Sequence, residues 1–147
     1  MLKIEVKFFS EFTIQELYTV LQLRTEVFVV EQDCVYQDLD GKDDKALHII
    51  GTKEGQVVAY TRVFKAGDYF DEASIGRVVV KKEERQYGYG QKIVEASIKA
   101  IKEKFNENKI HISAQTYLKE FYVDLGFLEE GNEYLEDNIP HIGMYKE

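Results

Sequence analysis

Residues 85–90, RQYGYG, combine an arginine with two glycines that a single residue separates. A guanidinium and bare backbone N–H groups are donors that proteins use to bind phosphate, because glycine lets an anion come close to the main chain. The same letters would also suit a dinucleotide-binding loop, an ATP-binding loop, an RNA-recognition strand or a plain flexible turn. The flanking residues decide between these uses.

The residues around this stretch disagree with three of those uses. A dinucleotide fingerprint needs a third glycine at position 93, where the chain has isoleucine, and a Walker loop needs a G-K-[ST] ending that is absent. Residues 85–89 imitate an RNA-recognition strand, but residues 90–92 lead into a helical pattern instead of continuing the strand. The sequence therefore predicts a glycine turn at a helix start, where free N–H groups coordinate phosphate. A loop that only closes onto the helix is the structural alternative.

Other residues with chemical potential form weaker patterns. Cys34 is the only cysteine and has no histidine near it in sequence, so a loop or buried thiol is favoured over a nucleophile. The loop DLDGKDD (38–44) hints at calcium, but Gly41 and Ile49 stand at its fourth and twelfth positions, whereas an EF-hand needs glycine sixth and glutamate twelfth. The histidines at 48, 111 and 141 lack ligand spacing. We predict no metal site.

Composition and charge bound the class of protein. The chain has 147 residues, of which 44% are hydrophobic and 13% aromatic, so one folded domain over residues 1–147 is expected. The formal charge is −8, which disfavours nucleic acid and favours a cationic small molecule. The N-terminus does not resemble a signal peptide and no apolar run is long enough for a membrane span. A single cysteine is consistent with a reducing cytoplasm.

The elements that must position these residues follow from hydrophobic spacing. Thr13 and Glu16 form a capping-box pattern before a helix at 14–28, and Thr116 and Gly126 bracket a second, short helix. A further helix follows RQYGYG and carries apolar residues from 93 to 105 on one face. The predicted strands lie at 2–9, 46–53, 56–65, 74–82, 109–115, 127–134 and 140–146. The order β-α-β-β-β-α-β-α-β-β predicts an α/β fold with one mixed, mostly antiparallel sheet and helices on both faces.

The motif and the order of elements together resemble a known family. Arg85-x-x-Gly88-x-Gly90, between a strand and an amphipathic helix, resembles the acyl-CoA-binding motif of the GNAT N-acetyltransferase superfamily, and the element order matches the GNAT acyl-CoA N-acyltransferase fold. A narrower likeness to the ElaA-like subgroup covers about residues 20–146, through LRTEVFVVEQDCVYQDLDGKD, IGRVVV, ISAQTYLKEFYVDLGF and EDNIPHIGM. Gln86 and Val35 depart from the pattern, where glycine and proline respectively are common.

The resemblance implies acetyl-CoA as co-substrate. Its diphosphate would lie on the N–H groups of residues 86–91 beside Arg85, and its pantetheine arm would pair with the strand edge at 78–80. One N–H of that edge would stabilise the negative charge that develops on the thioester oxygen, and a bulge would decide which residue supplies it. The implied cofactor-binding residues are Val78, Val79, Val80, Arg85, Gln86, Tyr87, Gly88, Tyr89, Gly90 and Gln91.

The resemblance also implies a general acid. Tyr122 in FYVDLGF matches the family's acid, which protonates the CoA sulfur, although a core role is the plain alternative because other apolar residues share its side. The general base is open: Glu31 and His48 are candidates, and Glu136 and His141 are candidates for the base or for acceptor binding. We predict acetyl transfer from acetyl-CoA to a primary amine of a small molecule or protein, by direct attack. The alternative is a catalytically silent acyl-CoA-binding regulatory module.

Two acidic segments suggest the charge of the acceptor. In GNAT folds both would border the acceptor side, so we hypothesise that they attract a cationic amine, with two solvated loops as the alternative reading. Homodimers are frequent in that superfamily, although the sequence shows no self-complementary patch. The acids are Glu31, Asp33, Asp38, Asp40, Asp43 and Asp44 in the first segment, and Glu129, Glu130, Glu133, Glu136 and Asp137 in the second.

Overall fold

The structure is a computed structural model that describes residues 1–147. The predicted order of elements is confirmed. The strands are β1 (Lys3–Phe8), β2 (Leu47–Lys53), β3 (Gln56–Phe64), β4 (Ala73–Val80), β5 (Ile110–Gln115), β6 (Leu128–Glu136) and β7 (Ile139–Lys146). The α-helices are α1 (Ile14–Thr25), α2 (Tyr89–Phe105) and α3 (Lys119–Asp124). No helix is both long enough and apolar enough to cross a lipid bilayer.

One sheet of seven strands in the order β1-β2-β3-β4-β5-β7-β6 organises the molecule. Every neighbouring pair is antiparallel except β4 and β5, as predicted for a mixed sheet. The β4–β5 pair is short, since only Ala73 with Ile110 and Ser74 with His111 are in register. Beyond these residues the two strands separate, and the sheet opens in its centre.

Helices cover both faces of the sheet. On one face α2 buries Ile93, Val94 and Ile101 against the larger apolar cluster, which also includes residues of β2, β3, β5 and β7. On the other face α1 contributes Val20 and Leu23 to a smaller cluster. Neighbouring residues of the same strands supply both clusters, because successive side chains of a strand point to opposite faces of the sheet.

The first helix has the predicted start but an unpredicted end. Thr13 Oγ1 accepts a hydrogen bond from the Glu16 N–H at 3.1 Å, and Glu16 Oε1 accepts one from the Thr13 N–H at 2.9 Å, which confirms the capping box. We expected the helix to continue to residue 28. It ends at Thr25 and passes into a π-helical turn, Glu26–Glu31, a wider winding that is common at functional sites.

Two turns test the remaining local predictions. Glu54 and Gly55 have φ values of 53° and 79°, which confirms a tight hairpin between β2 and β3. The prediction that Thr116 caps the short helix is wrong. A 3₁₀ turn, Thr116–Leu118, comes first, and the Thr116 hydroxyl donates to the Pro140 carbonyl at 3.4 Å, across to β7. Gly126, at φ 97°, follows the end of α3 as expected.

Candidate active site

The opening between β4 and β5 is shaped by a bulge in β4. Tyr60 pairs with Val79 and Arg62 pairs with Gly76, so residues 77 and 78 face Thr61 alone on β3. Arg77 takes up the extra length with φ 50°, a left-handed conformation that is unusual for arginine. We expected a bulge but could not locate it from the sequence, and its position here directs the rest of β4 away from β5.

The edge of β4 that faces the opening presents free backbone groups. The Lys81 N–H donates to Val58 O at 2.7 Å, so alternation along the strand turns the N–H and C=O of Val80, and then of Val78, toward β5. Consistent with this direction, the Val80 carbonyl accepts a hydrogen bond from Arg85 Nε at 3.0 Å. Val78 and Val80 pack toward α2, whereas Val79 packs toward α1.

Residues 85–91, which we call the 85–91 turn, lead from this edge into α2. A 3₁₀ helix, Lys82–Tyr87, precedes Gly88, whose φ of 74° is the left-handed conformation that glycine adopts without strain. The first helical bond runs from the Lys92 N–H to Gly88 O at 3.3 Å, which leaves the N–H groups of residues 89–91 without helical partners. No side chain caps this end and no acid lies in its first turn, so its positive dipole is free to attract an anion.

The two glycines of the 85–91 turn differ in backbone conformation. Only Gly88 has a positive φ; a Cβ at Gly90 would meet the Phe121 ring at 3.5 Å, an ordinary contact distance. Tyr89 is buried in the apolar core, so only its main chain can face a ligand. Gln86, Tyr87 and Gln91 are exposed beside the turn.

Glu31 pairs with the arginine of this turn. Arg85 Nη1 and Nη2 contact the two Glu31 carboxylate oxygens at 2.5 and 2.8 Å. The hydrogen bond from Arg85 lowers the pKa of Glu31, and burial opposes that shift only in part. Glu31 does not line the opening between β4 and β5. The structure therefore places this base candidate beside the 85–91 turn and away from that opening.

His48, the other base candidate, belongs to the interior. It is 1% exposed, its Nδ1 lies 2.5 Å from the Tyr60 hydroxyl, and its Nε2 lies 2.9 Å from the Asp43 carbonyl. Because a carbonyl only accepts, Nε2 carries the proton and Nδ1 accepts from Tyr60. Burial lowers the pKa of His48, which keeps the ring neutral. His48 does not line the opening either, so its position argues for a structural role.

A cleft of about 920 Å³, counting the part open to solvent, occupies the opening, and we call it the acceptor cleft. Val78 and Tyr122 both line it. Tyr122 is 6% exposed, and its ring packs edge-on against Phe121 and Phe127 with centroids 5.1 and 5.9 Å away. Burial raises the pKa of Tyr122, and no hydrogen bond contributes to that shift. The ring is thus part of the core while its residue borders the cleft, so the two expected roles are compatible.

The two acceptor-side candidates meet at the wall that β5, β6 and β7 build. His141 Nδ1 lies 2.7 Å from the Ile139 carbonyl, so it carries a proton, and Nε2 points toward Glu136 Oε2 at 3.6 Å. Ser113 Oγ donates to Glu136 at 3.2 Å and also contacts the Tyr134 hydroxyl. His141 is buried and Glu136 is about half exposed, so the pair extends from the cleft wall to solvent.

Opposite this wall, buried ion pairs replace the expected free acids. Asp38 accepts from Arg24 Nε at 3.0 Å and from Arg77 Nε at 2.7 Å. Arg62 contacts Asp40 and Asp43 at 2.5–3.0 Å. Burial alone would raise the pKa of Asp40, but the Arg62 guanidinium lowers it well below its usual range. We call this group the ion-pair network; its members are Arg24, Arg62, Arg77, Asp38, Asp40 and Asp43.

The ion-pair network corrects the interpretation of the first acidic segment. We expected its acids to attract a cation, but Asp38, Asp40 and Asp43 are neutralised by arginines that lie elsewhere in the sequence. The sequence does contain a signal of these buried pairs: single arginines stand inside the apolar runs VAYTRVF and SIGRVVV. A charge is rarely buried without a partner of opposite charge. In the second segment only Glu136 and Asp137 line the acceptor cleft. Cys34 also lines it, and its Sγ lies 3.4 Å from the Asp137 carbonyl.

Comparison with known proteins identifies the family. The model of the acetyltransferase (GNAT) domain matches residues 10–147. The chain belongs to the GNAT acetyltransferase family. It is 40% identical to protein ElaA of Escherichia coli over 140 residues, which are 94% of this chain and 92% of ElaA. The crystal structure of Escherichia coli ElaA superposes with a TM-score of 0.93 at 38% identity over all of both chains.

Two further structures extend the comparison. An acyl-CoA N-acyltransferase from Pseudomonas aeruginosa is 38% identical with a TM-score of 0.92, covering 99% of each chain. The PaiA N-acetyltransferase from Thermoplasma acidophilum, solved with coenzyme A, is 15% identical with a TM-score of 0.71 over 98% of each chain, a likeness of fold alone. The GNAT fold and the resemblance to ElaA are confirmed, and the GNAT chain is an acyltransferase.

Proposed function

We propose that this GNAT chain transfers an acetyl group from acetyl-CoA to a primary amine, by direct attack in a ternary complex. One observation carries the proposal: the free edge of β4 runs from the acceptor cleft, which Val78 and Tyr122 line, to the uncapped start of α2, where Gly90 lies beside Val80. GNAT enzymes act in general on amine acceptors with acyl-CoA donors.

The residues around the 85–91 turn suit a CoA ligand. The N–H groups of residues 89–91 and the guanidinium of Arg85 would hold the diphosphate, at a helix end that no side chain caps. The pantetheine arm would hydrogen-bond along Val78–Val80 in the manner of an added strand. Crystals of the Thermoplasma relative with coenzyme A support the choice of ligand.

Val78 is our choice for the oxyanion donor. Its N–H points toward β5 by strand alternation, and it is the one valine of the three that lines the acceptor cleft. Val80 lies nearer the 85–91 turn, and its carbonyl is bonded to Arg85. A backbone donor aimed at the thioester oxygen typically contributes about 2.7–4 kcal/mol to transition-state stabilisation.

Proton movements complete the reaction. The acceptor, a neutral amine, attacks the carbonyl carbon of the thioester that acetyl-CoA supplies, the C–S bond breaks, and Tyr122 gives its proton to the sulfur. Because the pKa of Tyr122 is raised, the phenol is protonated at physiological pH. His141 Nε2, assisted by Glu136, takes the proton that the nitrogen loses, directly or through water. Glu136 and Asp137 would also attract an amine that arrives as a cation.

The experiment is thiol release from acetyl-CoA with a library of primary amines, in the wild type and in Tyr122→Phe. We expect Tyr122→Phe to lower kcat by about 10²–10⁴-fold and to leave the Kd of CoA unchanged, because only the hydroxyl is removed. Tyr117→Phe is the matched control and should retain activity, because Tyr117 is exposed and lies five residues earlier, in the 3₁₀ turn before α3. CoA binding without thiol release for any amine would instead favour the regulatory module.

A further inference from the structure

Two buried polar atoms of this protein lack a hydrogen-bond partner, and both belong to the acceptor cleft. They are Arg62 Nε and Ser74 Oγ, on residues that are 1% and 2% exposed, and both residues line the cleft. No other buried side-chain nitrogen or oxygen in the chain is unpaired. Since proteins pair nearly all such groups, two orphans beside one cleft indicate partners that the chain does not provide.

The two atoms are neighbours across β3 and β4. Arg62 pairs with Gly76 and Phe64 pairs with Ser74, so all four positions share one face of the sheet and Ser74 is diagonal to Arg62. Gly76 lies between the two polar groups and has no side chain. A Cβ there would meet nothing within 4 Å. The two unpaired atoms lie just beneath the cleft wall, at the place where Gly76 leaves that wall without a side chain.

The guanidinium of Arg62 cannot easily move away from that space. Its Nη1 and Nη2 are held by Asp40 and Asp43 at 2.5–3.0 Å. The rings of Phe64 and Tyr69 lie 5.1 and 5.9 Å from its Cζ, and those rings stack on each other. Because these contacts hold the guanidinium in place, the position and direction of the Nε–H donor are fixed.

The surrounding charge decides which ligand group belongs there. The ion-pair network contains three arginines and three aspartates, so its formal charge is already balanced. A carboxylate would bring a fourth negative charge into a buried place, which is costly without a free cation. An uncharged amide suits both groups, because its oxygen accepts from Arg62 N–H and its nitrogen can donate to Ser74 Oγ.

We propose that Arg62 Nε, Ser74 Oγ and the space above Gly76 form a subsite for an uncharged amide group of the acceptor. The inference rests on the proposed function and defines its substrate class: primary amines that carry an amide a few bonds from the nitrogen, as in amino acid amides and peptide N-termini.

The test measures kcat/KM for matched sets of acceptors with acetyl-CoA. Amino acid amides with small, aromatic, acidic and basic side chains are each compared with the free amino acid and with the amine that lacks the amide. We expect the best amide to exceed both partners by about 10-fold or more, since a site built around hydrogen bonds rejects analogues without them. Equal rates for the amide and the plain amine would overturn the subsite but leave acetyl transfer intact.

Two variants locate the effect. Ser74→Ala should lower kcat/KM for the amide about 10-fold more than for the plain amine, with no loss of Tm because an unpaired group is removed. Gly76→Ala fills the open space without a clash and should lower the amide rate further. Ser10→Ala, exposed and outside the cleft lining, is the control. A lower Tm for Ser74→Ala with unchanged selectivity would indicate a structural water and contradict the subsite. Absence of turnover with every amine contradicts the proposed function and the inference together.

Discussion

The 85–91 turn and the ion-pair network border the same strand, β4, but use different interactions. The turn is largely exposed, consists of consecutive residues, and offers backbone N–H groups at the start of α2. The ion-pair network is buried and joins side chains from α1, the loop after the π-helical turn, β3 and β4. The proposed cofactor site thus depends on local conformation, whereas the proposed acceptor site depends on long-range pairing.

The largest effect should come from the ion-pair network. Asp38→Ala leaves Arg24 and Arg77 facing each other without their shared carboxylate, and loss of one partner from a buried pair costs about 3–5 kcal/mol of unfolding free energy. Urea denaturation measures this loss. Asp44→Ala, an exposed neighbour outside the network, is the control and should change stability by less than about 0.5 kcal/mol. Similar losses for both variants would show that the network does not stabilise this region.

In the 85–91 turn the two glycines should respond with opposite signs. Gly88→Ala forces alanine into φ 74°, which costs about 1–2 kcal/mol although its Cβ meets no atom. Gly90→Ala places a methyl at ordinary contact distance in the first turn of α2, where alanine is the better helix former by up to about 1 kcal/mol. Thermal unfolding of the two variants measures the contrast. A destabilisation of equal size at both positions would refute the assignment of strain to Gly88 alone.

Features that depend on neighbouring residues were predictable from the sequence. The capping box at Thr13 needs only two side chains one turn apart, and the glycine turn before α2 needs only a short motif beside a helical pattern. The order of elements followed for the same reason, since each helix or strand has its own hydrophobic period. Even here the winding within an element escaped prediction, as the π-helical turn Glu26–Glu31 shows.

Features that depend on pairing across the sheet were not predictable. Nothing in the letters around Asp38 identifies Arg77 as its partner, because 39 residues separate them and the contact exists only once β4 is folded beside the loop. The bulge at Arg77 likewise depends on how β3 and β4 align. His48 illustrates the same limit: the sequence left it as one of several candidate bases, whereas the folded chain surrounds it with Tyr60 and the Asp43 carbonyl.

A smaller effect should come from Glu31, which pairs with Arg85 of the 85–91 turn. Its pairing with Arg85 competes with a diphosphate for the same guanidinium, so Glu31→Gln should lower the Kd of CoA about 2–5-fold, the value of one exposed ion pair. Glu26→Gln removes an equal charge from the same π-helical turn, where it pairs with Lys81 at 3.4 Å. Isothermal titration with CoA compares the two variants. If both alter the Kd equally, the effect is one of general charge and the competition is absent.

The smallest effect concerns pH and comes from His48, whose Nε2 bonds the main-chain carbonyl of Asp43 in the ion-pair network. Burial lowers the pKa of His48 from its ordinary value of 6.5, so below that pH the unfolded chain binds a proton that the folded chain refuses. The stability that this histidine preserves is complete above pH 6.5 and is lost as pH falls toward its folded pKa. The lowered pKa values of Asp40 and Glu31 act below their ordinary values of 3.8 and 4.5, outside this window. We therefore expect the Tm of the wild type to fall more between pH 7.5 and 5.5 than that of His48→Gln. If the two plots of Tm against pH are parallel, folding does not lower the pKa of His48.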